Sequence, residues 1–382
     1  MIGFSLSDEQ KALQELARDF AQKEIAPVAQ ELDRTGKYPY DLLKKAHGLG
    51  LLNLTIEEEY GGGGVGWLEA CIVGEELAAA CAGVTTAANA IELALTPLHL
   101  AASPEQKQKF MAPIARDGGL AAFAVTEPGA GSDVAAMRTR AARSVHGDEY
   151  VLNGTKHFIT NGDVAQLLTV FAVTDPEKKH RGISCFAVPA DTRGITRTHM
   201  GEKMGHRASD TAEIVFEDVN VPAANFIGGE GAGFKIAMET FDRTRVGIGA
   251  AGVGVARAAM EAAIKFAKER QQFGQPIANF QGIQFMLADM AMRIETARLV
   301  VYQAAWLTDQ KLPYAYASAI AKAYGSDIAM QVTMDAVQVL GGYGYMADYK
   351  VEKYMRDAKL LQIYEGTNQV QRLVIARALL KD

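Results

Sequence analysis

The chain has 382 residues, of which 49% are hydrophobic and 22% charged, and a formal net charge of −6. That length exceeds the roughly 250–300 residues at which a single core stops growing, so two or three packed units are expected, and the composition excludes a disordered chain. The acidic balance excludes a global attraction for nucleic acid or for a membrane surface, so an anionic ligand would need locally placed arginines.

Three cysteines, Cys71, Cys81 and Cys185, none in a C-x-x-C pair, argue against a disulfide framework and for a reducing compartment. Residues 1–4 lead to Asp8 and Glu9 without the basic patch and apolar run of a secretory signal. A cytoplasmic location is the expectation, or a mitochondrial matrix one if a transit peptide has been removed.

Ser7 followed by Gln10 is a capping-box pattern, and Leu13, Leu16, Ala17, Phe20 and Ile25 then recur at helical spacing. The glycine run 61–64 reads as a flexible turn, since no Lys-Ser or Lys-Thr follows to make a phosphate cradle. Residues 77–102 are Ala-rich but broken by Gly83, Asn89, Glu92, Pro97 and His99, which suits buried helices better than a membrane span. Ser103 and Pro104 signal another helix start, and Gly118 and Gly119 its end. Residues 1–120 therefore read as a helical unit.

From there the texture becomes β-like. Residues 150–159, with Asn153 and Gly154 at their centre, read as a β-hairpin with an Asn-Gly turn. Short runs at 167–173, 183–188 and 212–216 read as further strands, so 121–228 is expected to be a small β domain. After Gly228, Gly229, Gly231 and Gly233, helical periodicity returns, with Ile283, Met286, Leu287, Met290, Ile294, Ala297 and Val301 on one face. Residues 229–382 read as a helical bundle.

Gly247, Gly249 and Gly252 spell G-x-G-x-x-G, but they sit between helical stretches rather than after a strand, which favours close helix packing over a dinucleotide site. No H-E-x-x-H, G-x-S-x-G or paired metal-ligand spacing occurs, and no metal is expected. Three segments carry chemistry. The loop 126–133, with two hydroxyls, two carboxylates and glycines, is either a capped surface turn or a cradle for a polar ring edge or phosphate. Residues 268–274 place Arg270 beside Gln272 and Phe273, as a solvated helix end or a phosphate-and-ring contact. Glu365 stands at a break ahead of a new helix; apolar neighbours would raise its pKa and the helix N-terminus would lower it.

Taken together, segments 125–133, 158–162, 204–211, 270–274, 338–345 and 356–372 resemble, in order and over nearly the whole chain, the acyl-CoA dehydrogenase family, most closely its medium- and short-chain straight-chain members. The resemblance implies a multidomain α+β fold of N-terminal helical domain, middle β-barrel domain and C-terminal four-helix bundle, assembled as a homotetramer. This agrees with the independent α, β, α reading.

FAD is the implied cofactor. Phe123, Val125, Thr126, Gly131 and Ser132 would meet the flavin, with Ser132 also near CoA. Phe158, Ile159 and Thr160 would flank the isoalloxazine, Phe158 standing where many relatives carry Trp. Arg270, Gln272, Phe273, Gln338, Gly341 and Gly342 would reach the FAD of a neighbouring subunit, and Phe280, Gln281, Thr367 and Gln369 complete the implied cofactor set. Asp242 and Arg245 match CoA-contacting positions, and Gly366 would lie beside the thioester. Glu365 would be the base, because the earlier-helix position used by isovaleryl- and long-chain-type relatives is Thr244 here.

The implied reaction takes the α proton to Glu365 and the β hydrogen to the flavin, giving a trans-2-enoyl-CoA in fatty acid β-oxidation, with electrons passed to electron-transferring flavoprotein. An acyl-CoA oxidase using oxygen and a non-catalytic helical scaffold of the same fold are the alternatives. Chain length, medium or short, would depend on pocket depth near Asn89, Ile91, Leu93 and Leu95.

Overall fold

The computed structural model describes residues 5–381, so residues 1–4, read above for a targeting signal, lie outside the described residues. Helix α1 (Asp8–Phe20) begins at the expected capping box: the Ser7 hydroxyl accepts from the Gln10 N–H, and the Gln10 side chain accepts from the Ser7 N–H. It is followed by α2 (Ala29–Thr35), α3 (Tyr40–Gly48), α4 (Trp67–Ala80), α5 (Ala82–Ala101), α6 (Pro104–Gln106) and α7 (Ala112–Asp117). The Ala-rich stretch is thus two helices that meet at Cys81, whose extended backbone (φ −162°) ends one and starts the other. The glycine run is not loose. The N–H groups of Gly62, Gly63 and Gly64 donate to the carbonyls of Glu57, Asn53 and Ile56, and a Cβ on Gly62 would stand 2.2 Å from the Ile56 oxygen.

Strands β1 (Ala121–Ala124), β2 (Arg140–Arg143), β3 (Glu149–Thr160), β4 (Leu167–Val173), β5 (Ile183–Pro189), β6 (Ile195–His199), β7 (Thr211–Pro222) and β8 (Phe226–Ile227) form one sheet in the order β6-β7-β3-β2-β4-β5-β8, with β1 alongside β4. It encloses a core of Leu152, Val170, Phe186, Ile214 and Phe216, and edges β6 and β8 are not paired to each other. Strand β4 is apolar but for Thr169, whose hydroxyl donates to the Ala94 carbonyl, because both faces are covered, one by this core and the other by the helices around α5.

The expected Asn-Gly hairpin is absent. Strand β3 runs straight through Asn153 and Gly154, and the register against β7 shifts between Leu152 and Gly154. The pair makes a bulge: Asn153 exchanges hydrogen bonds with Asp218 (3.0 and 2.9 Å), and Gly154, at φ +148°, passes so close to Thr139 that a Cβ would lie 2.5 Å from its hydroxyl. Tertiary packing took the glycine that local turn chemistry would have used.

The C-terminal region holds α8 (Gly233–Glu269), a two-residue hairpin β9 (Gln271–Gln272) and β10 (Gln275–Pro276), then α9 (Gln281–Asp309), α10 (Ala315–Leu340), α11 (Val351–Leu361) and α12 (Asn368–Leu379). Met290, Ile294, Ala297 and Val301 of α9 are buried as their spacing requires. The G-x-G-x-x-G run lies in mid-helix, where Gly249 and Gly252 let α8 and α10 touch: a Cβ on either would meet the Ala321 or Gly325 carbonyl oxygen at 2.8 or 2.5 Å.

Candidate active site

Between α11 and α12 the chain places two consecutive residues in the left-handed region, Glu365 (φ +49°) and Gly366 (φ +85°), before Thr367 caps α12 by accepting from the Val370 N–H. A glutamate in that conformation costs on the order of 1–3 kcal/mol and persists only where its surroundings hold it. Here Gln371 donates to the carbonyls of Glu365 (3.2 Å) and Gly366 (3.0 Å), Lys322 of α10 donates to the Gly366 carbonyl (2.8 Å), and Thr244 of α8 donates to the Glu365 carboxylate (2.7 Å).

Burial pushes the Glu365 carboxyl above the ordinary glutamate value, against the opposing effects of the Thr244 hydroxyl, Arg245 and Lys322. Burial thus prevails over those side-chain effects, and a carboxylate raised in this way is suited to accept a proton from carbon. Glu365 opens onto a cavity of about 40 Å³ whose walls include Leu54, Val73 and Leu77, with Asn89 and Leu93 from α5 and Ile248 from α8. Ile91 and Leu95, expected beside them, point instead into the core with Phe110 and Met111, on the far side of α5. Glu92, which the sequence reading passed over, shares the cavity, its Oε1 held by the Thr55 N–H (2.7 Å) and hydroxyl (2.5 Å). Arg245, only 5% exposed, forms an ion pair with Asp242 three residues earlier on α8. Behind the joint, buried His206 bonds Thr86 (2.9 Å) and the Asp357 carboxylate (2.7 Å) and packs edge-on to Tyr364, so segments 204–211 and 356–372 do meet.

The loop 126–133 lies against β3, since the His157 N–H donates to the Thr126 carbonyl at 2.9 Å. Gly131 and Ser132 are exposed on it and Thr126 is half-buried. A pair not anticipated from the sequence fixes it: Glu127 accepts from Lys156 (2.8 Å) and from the N–H groups of Arg138 (2.6 Å) and Thr139 (2.9 Å), while Lys156, with no exposed surface, also donates to the Val125 carbonyl (3.1 Å). Burial pulls the Lys156 pKa down to about 8, with Glu127 resisting. Phe158 is 64% exposed at φ +58°, whereas the side chains of Phe123, Val125 and Ile159 are packed into the interior, which leaves only their backbone atoms for a ligand. Thr160 is half-buried at the end of β3.

A second cleft, of about 520 Å³, brings together Arg270, Gln272, Gly341 and Gly342 with Phe266 and Tyr343. Arg270 lies over the Tyr343 ring, 5.2 Å from its centre. Gly341 has φ +60°, and a Cβ on Gly341 or Gly342 would meet nothing within 4 Å, so the backbone is open to an approaching group. Phe273, 93% exposed, and Phe280 pack edge-on beside it. Gln281, Gln338 and Gln369 are surface residues. No residue lines both this cleft and the Glu365 cavity, and none of the implied flavin contacts at 123–132 and 158–160 lines either of them. The residues suit a flavin dinucleotide in kind: an open aromatic face and a hydroxyl-bearing loop for a flat ring, and an arginine with bare glycine backbone for a diphosphate or adenine.

A helical, β and helical architecture around one half-buried glutamate in the left-handed conformation points to a flavoprotein dehydrogenase class. Family models for acyl-CoA dehydrogenase match throughout: the N-terminal domain over residues 7–118, the middle domain over 122–219 and the C-terminal domain over 231–380. The solved butyryl-CoA dehydrogenase of Megasphaera elsdenii is 44% identical, with both chains fully covered and a TM-score of 0.97. A chain in the structure reported as the electron transferring flavoprotein of Acidaminococcus fermentans is 46% identical, again with full coverage of both and a TM-score of 0.97. The acryloyl-CoA reductase (NADH) of Anaerotignum propionicum is 44% identical over 99% of this chain and 96% of its own. The chain belongs to the acyl-CoA dehydrogenase family.

Proposed function

We propose that the protein uses FAD to convert a short, straight-chain acyl-CoA into the trans-2-enoyl-CoA. The observation that carries this reading is the Glu365 carboxylate, raised by burial, hydrogen-bonded by Thr244 and facing a small, largely apolar cavity. When bound, FAD supplies the acceptor for the β hydrogen. The protein's own residues do the rest: Glu365 takes the α proton, the left-handed joint aims it, and the apolar walls exclude water from the acyl chain. The small cavity and the likeness to a butyryl-CoA dehydrogenase favour short chains over medium ones. Anaerobic titration of the holoenzyme with butyryl-, hexanoyl- and octanoyl-CoA tests the reading: butyryl-CoA should bleach the flavin most efficiently, and no bleaching by any of them would refute it.

The electron acceptor in this reading is electron-transferring flavoprotein, so the reduced enzyme should be reoxidised faster by that protein than by air. The likeness to an acryloyl-CoA reductase supports a reverse use of the same site, saturating a 2-enoyl-CoA when a reductant is supplied.

The active assembly in this reading is a homotetramer. Phe285, Met292, Leu299 and Trp306 recur every seventh residue along α9 and are 60%, 61%, 54% and 48% exposed, a stripe that calls for cover by a further helix. Association would also let the Arg270 cleft of one chain complete the flavin site of another.

A further inference from the structure

Lys322 lies on α10 with no exposed surface, and its ammonium reaches two neutral oxygens, the Gly366 carbonyl at 2.8 Å and Asn368 Oδ1 at 2.9 Å. Neither supplies the opposite charge that a buried cation requires. Two carboxylates act on it electrostatically, Glu365 and Asp327. Asp327 is already engaged, accepting from Arg372 (2.7 Å), Asn368 (2.7 Å) and Gln362 (2.8 Å). Glu365 accepts on its carboxylate from the Thr244 hydroxyl alone among the described residues. The other cation facing it, Arg245, has its own partner in Asp242. Lys322 forms no ion pair among the described residues; of the two carboxylates acting on it, Glu365 is the one that no cation engages directly, and the Gly366 carbonyl that Lys322 grips belongs to the next residue.

We infer that Lys322 is a positioning residue for Glu365: its ammonium is the counter-charge of the base and also the clamp on the Gly366 carbonyl that fixes the left-handed Glu365 and Gly366 pair. The inference rests on Glu365 being the base. The two roles are linked through one short connection. The Gly366 carbonyl also accepts from Gln371, so the peptide after Gly366 cannot turn without breaking two hydrogen bonds. Asn368 is tied in the same way, to Lys322, Ser326 and Asp327 at once.

Once Glu365 has taken a proton from substrate, Lys322 loses its matching charge. Burial has already drawn the Lys322 pKa down to about 7, with Glu365 holding it up and Arg245 pressing it further down, so the protonation of each group affects the other. The remaining titratable groups around the joint are Tyr364, whose hydroxyl meets Thr86 at 3.3 Å, His206 and Asp357 behind it, and Glu92 across the cavity.

The test is stopped-flow reduction of the holoenzyme by butyryl-CoA across the neutral and mildly alkaline range, for wild type, Lys322→Met and Lys322→Gln. Glutamine keeps an N–H for the Gly366 carbonyl but no charge, and it guards against a methionine variant that fails to fold. Loss of the nearby positive charge favours the protonated carboxyl, so both profiles should move to higher pH. At neutral pH reduction should slow by about tenfold or more and recover as pH rises, with methionine slower than glutamine because it also loses the clamp. Profiles unshifted in both variants, or slowing that is uniform at every pH, overturn the inference and leave Lys322 a packing residue. A wild-type flavin that no saturated acyl-CoA bleaches sinks the reaction itself, and this inference with it.

Discussion

The Thr244 hydroxyl stands 2.7 Å from Oε2 of Glu365 and donates its proton there, joining mid-α8 to the strained joint ahead of α12. Such a bond stabilises the carboxylate form and opposes the effect of burial. Thr244→Val keeps the shape and removes the donor, so the Glu365 carboxyl should rise further. In the proposed reaction the deprotonated form is the active one, so reduction by butyryl-CoA should slow by about tenfold at neutral pH and recover in alkali, since a hydrogen bond to a charged group contributes roughly 1.5–3 kcal/mol. A pH profile that superimposes on the wild-type curve would count against the bond mattering.

Glu365→Gln removes the base while keeping its size. FAD and acyl-CoA should still bind, while flavin reduction should fall by at least roughly 10²–10⁴-fold, the usual scale of general-base catalysis. The measurement is the single-turnover bleaching rate, and near-normal reduction would reassign the base.

The buried Glu127 and Lys156 pair should report on the 126–133 loop, the proposed flavin contact, rather than on chemistry. Lys156→Met leaves Glu127 enclosed without its cation and should lower stability by about 3–5 kcal/mol, with looser FAD. Burial would raise the Glu127 carboxyl, but the Lys156 charge and the hydrogen bonds from Lys156, Thr139 and Arg138 outweigh it and hold the group below its ordinary value. With the folded pKa depressed, the contribution to stability is complete above the ordinary glutamate value and declines as pH falls through the acid range. Thermal melts and flavin release as a function of pH check both statements. Equal melting temperatures for variant and wild type would show the pair to be dispensable.

Two glycines one and a half turns apart on α8 should respond oppositely to alanine. At Gly252 the new methyl would sit 2.5 Å from the Gly325 carbonyl oxygen, so overpacking should cost about 1–3 kcal/mol. At Gly247 the nearest atom is the Asn89 amide at 4.0 Å, so the gain in helix propensity, about 0.5–1 kcal/mol, should appear as a higher melting temperature. Gly247→Ala also intrudes on the cavity and should penalise longer acyl chains more than butyryl-CoA.

Arg270→Ala should weaken flavin retention and tetramer assembly together, if the cleft it lines is completed by another copy. Sedimentation analysis and flavin content of the same sample decide this: full flavin in intact tetramers would exclude a shared role for Arg270.

The order of helical, β and helical regions was legible in the sequence because it depends on local signals: capping residues such as Ser7 and Thr367, period-3.6 burial along α9, and apolar runs such as β4. Asn153 and Gly154 misled because a glycine meets a turn or a bulge equally well, and only the approach of Thr139 and the register against β7 selected the bulge. The helix α5 was recognised, but which of Asn89, Ile91, Leu93 and Leu95 faced the cavity was fixed by α8 lying against one side of it and the β domain against the other.

Sequence alone therefore determined that Glu365 stands at a break before a capped helix, which is a local property, while its proposed role as base came from the family resemblance. Tertiary structure decided its surroundings. Burial, the Thr244 hydroxyl and the buried Lys322 come from residues more than forty positions away, and no local pattern encodes the depth at which they meet. A pKa is set by the surroundings of a group in space, and chain order constrains those surroundings only through the fold.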